Sequence, residues 1–284
     1  MRIRESIGRR LKSRLGVATA LAAVAMLAPL AVSAGGRAGG GGQPTRSGED
    51  FEWRGHIATD KTIEVKGVNG GIVAEPTTGS EVEVVAHKKA RKSDPEEVRI
   101  EVIEHPGGVT ICALYPSPRG APPNECKPGE GGRMNTHDND VQVEYTVRVP
   151  AGVRFVGRTV NGSVEARGLR ADAEAHTVNG SVGISTRGVA RASTVNGSID
   201  AEMGTVLREP LEFETVNGGI TLVLPADSGA ELRASTVNGD ILTDLPITVR
   251  GRFNHRRVSG TIGRGGPQLM LSTVNGNIRL RTAS

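Results

Sequence analysis

One short phrase constrains this chain more than any other feature. Thr-Val-Asn-Gly, followed by a small residue and an aliphatic one, first occurs in full from Thr159 to Val164, and an early partial copy runs from Val68 to Ile72. The asparagine of the phrase, or the residue in its place, stands at Asn69, Asn161, Asn179, Asn196, Asn217, Asn238, Ser259 and Asn275. From Asn161 onward these positions are 16–21 residues apart. Repetition at so short a period predicts an architecture of stacked units.

Each interval is long enough for two strands of about five or six residues and two turns. One of the turns is Asn-Gly, and both residue types tolerate the left-handed backbone that tight turns require. An antiparallel β-meander or sandwich built from hairpins is one interpretation. We favour a β-solenoid, because a meander gives no reason for Thr, Val, Asn and Gly to recur together. The predicted fold class is therefore all-β, a solenoid-like stack of short strands with Asn-Gly turns.

Whether the valine of the phrase faces the core or the solvent is harder to infer from the sequence. Strict alternation along the strand would place it outside, in an exposed stripe. Two degenerate copies nevertheless keep the valine, at Val68 and Val258, whereas Gly67 and Arg257 replace the threonine. We therefore predict a bend at the threonine that turns the valine inward, with the asparagine capping the turn or stacking in a ladder. The alternative is a surface valine stripe that acts as a binding face.

The N-terminus has the basic, apolar and small-residue order of a secretory signal peptide, which we assign to residues 1–34. An uncleaved anchor is the alternative. Residues 35–50 form a glycine-rich linker. Residues 51–150 are predicted to be an N-terminal β-strand region with a cysteine loop, and residues 151–284 the repeat region of one continuous domain. We expect export to the periplasm, the outer membrane surface or the extracellular space, with no membrane span after signal cleavage.

The charge of the chain argues against nucleic-acid binding. The net charge is +4, but residues 1–34 contribute +5, so the remainder carries −1. The basic character thus belongs to the removable segment. Seven aromatic residues in the whole chain also leave few platforms on which bases could stack.

Residues 51–150 contain alternating apolar and polar positions, most clearly at Val141, Val143, Tyr145, Val147 and Val149. The two cysteines of the chain, Cys112 and Cys126, flank a proline-rich stretch. In an exported protein such a pair predicts a disulfide, which would stabilise the fold by roughly 3 kcal/mol in the chain-entropy model. A two-cysteine metal site is disfavoured because no histidine or carboxylate stands at a suitable spacing.

No catalytic constellation stands out. The acids of the repeats alternate with apolar residues, as on the outward faces of strands: Glu165, Asp172, Glu174, Asp200, Glu202, Glu212 and Glu214. Five of the six histidines are scattered without a nucleophile motif beside them: His56, His87, His105, His176 and His255. The stretch from Thr136 to Asp140 lacks the spacing of a calcium loop and indicates a solvated polar loop. We expect no catalytic residue, metal or cofactor; a carboxylate pair that cleaves glycans is the alternative.

The chain resembles the bacterial "putative adhesin" family, whose members carry serial β-strand repeats. The resemblance extends over about residues 55–282 and rests on the repeated phrases, the segment Val68–Ile72, the segment Val147–Val153 and the segment Leu222–Pro225. It implies surface display and adhesion, and supplies no catalytic residues. The resulting hypothesis is a non-enzymatic envelope or surface protein, an adhesin or scaffold, that binds an envelope protein, a surface protein or a glycan. A periplasmic accessory or envelope-stress signalling component is the alternative, and a polysaccharide-active enzyme is a third.

Overall fold

A computed structural model describes residues 45–249 and 255–283. The expected signal peptide and most of the expected linker lie outside the described residues. Those described belong to one compact unit, residues 43–284. Apart from one 3-10 turn at Pro95–Glu97, the regular structure within them is entirely β. No helix in this part of the chain is long and apolar enough to cross a membrane.

The strands are short, as the spacing of the repeats requires. In chain order they are β1 (Arg46–Ser47), β2 (Phe51–Gly55), β3 (Thr62–Lys66), β4 (Ile72–Pro76), β5 (Val82–Ala90), β6 (Arg99–His105), β7 (Gly108–Leu114), β8 (Glu125–Cys126), β9 (Gly132–Arg133), β10 (Gln142–Val149), β11 (Arg154–Arg158), β12 (Val164–Leu169), β13 (Ala173–His176), β14 (Val182–Thr186), β15 (Ala190–Ser193), β16 (Ile199–Met203), β17 (Leu211–Glu214), β18 (Ile220–Leu224), β19 (Ala230–Asn238), β20 (Ile241–Thr243), β21 (Ile247–Val249), β22 (Arg257–Ile262), β23 (Gln268–Asn275) and β24 (Ile278–Thr282).

Successive repeats pair in parallel, which identifies the fold as a β-solenoid rather than a meander. Each coil contributes one strand to each of two sheets of eleven strands. Sheet A has the order β1-β5-β10-β4-β12-β14-β16-β18-β24-β20, with β2 also beside β5. Sheet B has the order β21-β22-β19-β23-β17-β15-β13-β11-β3-β7-β6. The predicted fold class is confirmed.

The coils do not stack in chain order throughout. The last coil of the sequence, β23–β24, lies between β17–β18 on one side and β19–β20 on the other. The C-terminal segment is thus inserted between two coils that precede it in sequence. Because every coil has the same inward pattern and the same corner phrase, either order gives the same ladder hydrogen bonds.

Antiparallel strands flank both edges of sheet B and one edge of sheet A, whose other edge is the parallel strand β20. At the N-terminal end, β7 and β10 add one parallel coil, and β6 and β5 then pair antiparallel with them. At the other end, β22 pairs antiparallel with β19 and β21 with β22. Reversed strands at the ends of a solenoid limit edge-to-edge association. The end of the expected linker belongs to this arrangement, because Arg46 and Ser47 pair with β5.

The core lies between the two sheets and follows the alternation in the sequence. Inward positions of every coil are buried, from Ile63 and Val65 in the first to Leu269 and Leu271 in β23. The aliphatic positions predicted in residues 51–150, such as Val143 and Val147, are equally buried. The buried residues form one continuous cluster along the stack. Burial of apolar surface between the sheets is therefore the main stabilising contribution in this part of the chain.

Candidate functional site

The threonine of the repeated phrase faces the interior and bonds the neighbouring coil. Its hydroxyl donates to the carbonyl oxygen of the turn glycine in the adjacent coil, at 2.8–3.0 Å. The six threonines that do this are buried: Thr159, Thr177, Thr194, Thr215, Thr236 and Thr273. A buried hydroxyl requires a partner, and the glycine carbonyl supplies it. This hydrogen bond holds the threonine side chain toward the interior.

Glycine is required in the phrase because the backbone of the adjacent coil approaches closely, not because the residue has a left-handed backbone conformation. Among the turn glycines only Gly70 has a positive φ, at 120°, and none of the turn asparagines has one. A Cβ added to any of the other six would lie 1.9–2.1 Å from the carbonyl oxygen of the glycine in the adjacent coil. The interpretation of Asn-Gly as a left-handed turn was therefore wrong. The corner admits glycine because adjacent backbones nearly touch there.

The asparagine side chains form a continuous ladder along the corner. Each Nδ2 donates to the Oδ1 of the adjacent asparagine at 2.7–2.9 Å, in the spatial order Asn161, Asn179, Asn196, Asn217, Asn275 and Asn238. The first acceptor is Asn69, whose own Nδ2 donates to the carbonyls of Asn139 and Val141 at 3.4 Å. Each amide from Asn69 to Asn275 serves as both donor and acceptor, as its two ends permit, and Asn238 at the end of the ladder is a donor.

The valine of the phrase points outward, contrary to the prediction of a bend that buries it. Val160, Val178 and Val274 are each 38% exposed, and Val237 is 56% exposed. The reason is the inward threonine: the next residue along a strand faces the opposite side. The degenerate copies are not typical of the repeat, because the buried Val68 belongs to the covered end coil. Val258 lies within the antiparallel strand β22.

Ser259 is likewise not a repeat turn. It lies within β22, opposite Arg233 of β19, and takes no position in the asparagine ladder. The degenerate phrase around it is a capping strand whose sequence happens to alternate in the same way. The turn position assigned to Ser259 from the sequence was wrong.

The outward valines form a straight surface feature that we call the valine stripe, made of Val160, Val178, Val195, Val216, Val274 and Val237 in spatial order. At about 4.8 Å between adjacent strands, six valines span roughly 24 Å. Beside the stripe run the asparagine ladder and then small polar residues, Ser163, Ser181 and Ser198. The corner therefore presents a largely polar, uncharged ribbon with one apolar line, and Asp240 in the last rung is its one acidic position. It is the most regular surface in the described residues.

A long loop between β7 and β10 covers the N-terminal end of the ladder. Cys112 and Cys126 form a disulfide at the start of this loop. The Tyr115 hydroxyl donates to the carbonyl of Val141 at 2.8 Å. The backbone N–H of Asn69 donates to the same hydroxyl at 3.3 Å. Tyr115 thus occupies the end of the stack where another repeat would continue it.

Two charged residues of β3 hold the glycine-rich part of the same loop. The buried carboxylate of Glu64 accepts a hydrogen bond from the backbone N–H of Gly129 at 2.9 Å. The Lys66 ammonium donates to three loop carbonyls, those of Lys127, Gly129 and Gly131. Burial lowers the pKa of Lys66, while the nearby Glu64 carboxylate opposes that effect. The loop is therefore pinned by the disulfide and by side chains of β3.

The outer face of sheet B carries an arrangement that the sequence did not reveal. His176 Nε2 lies 2.7 Å from Glu174 Oε1, and His176 Nδ1 lies 2.6 Å from Ser193 Oγ. Arg158 bridges Glu174, at 2.6 Å, and the buried Glu64, at 3.2 Å. The hydrogen bond with His176, together with the charge of Arg158, holds the pKa of Glu174 below its ordinary value. A groove of about 310 Å³ runs beside this network.

The order of Glu174, His176 and Ser193 is that of a catalytic triad, but the setting does not support that chemistry. Acyl transfer also requires donors directed at the developing oxyanion. Here all three residues lie in strands paired on both sides, so the backbone N–H groups of β13 and β15 are engaged within the sheet. Two of the three arginines that line the groove are paired with carboxylates, Arg158 as above and Arg191 with Glu209. We interpret the network as an ion cluster that ties adjacent coils together.

The polar loop considered for calcium is also structural. Asp140 accepts hydrogen bonds from the backbone N–H groups of Arg91, Lys92 and Ser93. These bonds, the one from Ser93 foremost, lower the pKa of Asp140 to about 2. Its carboxylate therefore caps a turn. No group of three metal-ligating side chains occurs in residues 45–249 and 255–283.

Residues 130–281 match the family model described as Toastrack DUF4097, which is just over half of the chain. The chain belongs to the Toastrack family. The matched segment begins within the loop between β7 and β10 and includes every corner phrase from Asn161 onward. Residues 51–129, which contain Asn69 and the disulfide, lie before it. Among curated proteins, no match to the chain was found.

Three solved structures resemble this Toastrack chain at low identity. The first is described as a putative cell adhesion protein from Clostridium sporogenes, at 11% identity and TM-score 0.42, covering 83% of this chain and 100% of that one. The second is a putative adhesin from Bacteroides fragilis, at 10% identity and TM-score 0.35, covering 83% and 97%. The third is a putative adhesin from Parabacteroides merdae, at 9% identity and TM-score 0.23, covering 84% and 97%.

Proposed function

We propose that the protein is an exported, non-enzymatic envelope or surface protein that binds a partner protein through the valine stripe. The observation that carries the proposal is the valine stripe itself. Single exposed apolar residues are normal on protein surfaces, whereas a contiguous line of them marks an interaction site. The repeat keeps its valine at the outward position of six coils, where five of the valines are exposed and Val216 is half-buried.

The chemistry of the ribbon favours a protein over a glycan. Glycan recognition commonly uses aromatic platforms, and the stripe consists of valines beside asparagines and serines. A flat apolar line of this length suits an extended segment or sheet edge with small apolar side chains. The family resemblance, which implies adhesion at a surface, agrees with this assignment.

The size of the ribbon predicts weak binding by a single molecule. Covering the exposed part of one valine contributes about 1 kcal/mol or less. Six valines then supply about 5 kcal/mol before the cost of association, which corresponds to affinities in roughly the millimolar range or weaker. We therefore expect useful attachment only when many copies are displayed together, so that avidity multiplies the separate contacts.

The test is attachment of beads coated with the exported protein to envelopes of the producing cells. The triple variant Val178→Thr, Val195→Thr and Val274→Thr keeps the shape of the stripe and makes it polar. We expect bead attachment to fall by at least about tenfold, because each lost valine removes up to about 1 kcal/mol. The matched control is Val73→Thr, Val223→Thr and Leu242→Thr, which makes three positions on sheet A polar and should leave attachment unchanged.

Equal attachment of the stripe variant and the wild type would overturn the proposed binding surface. Circular dichroism on both variants checks that the fold is retained. Protease treatment of intact cells distinguishes display at the cell surface from a location in the periplasm. Digestion supports display at the surface, whereas protection in sealed cells would instead place the same binding surface in the periplasm.

A further inference from the structure

Seven Asn-Gly pairs occur at the corners, and six of them share a feature that the seventh lacks. In the six, the N–H of the glycine donates to the asparagine carbonyl of the adjacent coil at 2.8–3.0 Å: Gly70, Gly162, Gly180, Gly197, Gly218 and Gly276. The seventh, Gly239, makes no hydrogen bond through its N–H to any described residue. Gly239 follows Asn238, the last rung of the asparagine ladder.

The side chain of Asn238 is also less constrained than the others. Every other ladder asparagine has an Oδ1 that accepts a hydrogen bond from the next Nδ2. Asn238 donates to Asn275 at 2.8 Å, but no donor in the described residues reaches its own Oδ1. The preceding residue, Val237, is the most exposed valine of the stripe, at 56%. Two independent observations thus single out the same residue.

We propose that Asn238 is a site of spontaneous deamidation in the native protein and that the other six Asn-Gly pairs are protected by the ladder. The nitrogen of Gly239 loses its proton and attacks Cγ of Asn238, and the Cγ–Nδ2 bond breaks to release ammonia. Water then opens the resulting succinimide to aspartate or isoaspartate. At the other six pairs the attacking nitrogen is hydrogen-bonded to the adjacent coil, so the reaction must wait for local opening.

The modification changes the end of the stack. An aspartate at position 238 loses the Nδ2 donor and directs a carboxylate oxygen at the Oδ1 of Asn275. An isoaspartate also lengthens the backbone where Asn238 pairs with Asn275. The three-residue strand β20 follows directly and lies at one edge of sheet A. Deamidation therefore loosens the coil formed by β19 and β20, and this inference does not depend on the proposed binding function.

The experiment is peptide mapping by mass spectrometry after prolonged incubation of the exported protein in mildly alkaline buffer. We expect deamidation at Asn238 to be at least about tenfold faster than at any of the other six asparagines, because each of those must first break its hydrogen bonds. The same incubation in denaturant provides the internal control. There, all seven Asn-Gly pairs should react at similar rates, because the ladder no longer exists.

Comparable rates at all seven pairs in the native protein, or a slower rate at Asn238 than at an interior rung, would overturn the proposal. The variant Asn238→Gln is the matched control, since its longer side chain does not close the five-membered ring readily. It should remove the fast site and leave the six slow rates unchanged. If removing that site makes fast a rung that does not contact position 238, from Asn161 to Asn217, protection by the ladder is excluded.

Discussion

Replacing Gly197 by alanine is expected to destabilise the protein by more than about 3 kcal/mol. The added Cβ would lie 1.9 Å from the carbonyl oxygen of Gly180 and 2.4 Å from its carbon. Both are backbone atoms of the adjacent coil, so neither can rotate away as a side chain would. The two coils would have to separate, which breaks the neighbouring ladder hydrogen bonds as well. The measurement is the midpoint of urea unfolding for the Gly197→Ala variant against the wild type.

The matched control for this substitution is Gly79→Ala. A Cβ at Gly79 would have the Thr77 hydroxyl as its nearest neighbour, at 3.5 Å, which is ordinary contact. That change should be neutral or slightly stabilising, because it reduces the freedom of the unfolded chain. A Gly197→Ala variant as stable as the control would show that adjacent corners are not in close contact.

Removing the disulfide is the second change that we expect to lower the stability of the protein substantially. Cys112 and Cys126 are separated by 14 positions, and closing such a loop stabilises a fold by about 3 kcal/mol in the chain-entropy model. The double variant Cys112→Ser and Cys126→Ser should therefore unfold at a lower urea concentration. The effect should be concentrated at the N-terminal end of the stack, where Tyr115 and Asn69 depend on the same loop.

Reductant supplies the control for the disulfide. Added to the wild type, it should lower the unfolding midpoint to that of the double variant, and added to the double variant it should change nothing. A wild-type midpoint that does not respond to complete reduction would contradict the stabilising role. Hydrogen exchange locates the change, with faster exchange in residues 115–141 and unchanged exchange in the interior coils.

The solenoid could be predicted from the sequence because the repeat period and the strand alternation are local signals. The direction of the valine could not, because it depends on a bond between the threonine hydroxyl and a glycine of another coil. The sequence shows that Thr194 and Gly180 are present, but not that they meet. The role of the glycine was missed for the same reason, since its neighbour is a backbone from the adjacent coil.

The order of the coils and the network on sheet B were also not predicted from the sequence. Identical corner phrases fit each other in any order, so nothing local places the coil of Asn275 beside that of Asn217. The sequence does contain an indication of this network, because Glu174 and His176 are two residues apart and therefore lie on one face of a strand. Ser193 follows His176 by 17 residues, which is one coil. Applying the repeat spacing to the polar residues as well as to the phrase would have brought the three together.

Cysteine labelling at paired positions tests the central claim most directly, namely that the phrase buries its threonine and exposes its valine. In the oxidised protein, whose own cysteines are bonded to each other, the variants are Thr177→Cys and Val178→Cys, with Thr273→Cys and Val274→Cys as a second pair. We expect a maleimide to label the cysteine at each valine position rapidly and the cysteine at each threonine position only after denaturation. Circular dichroism confirms that each variant is folded. Rapid labelling at the threonine positions, or protection at the valine positions, would contradict the structure of the corner described above.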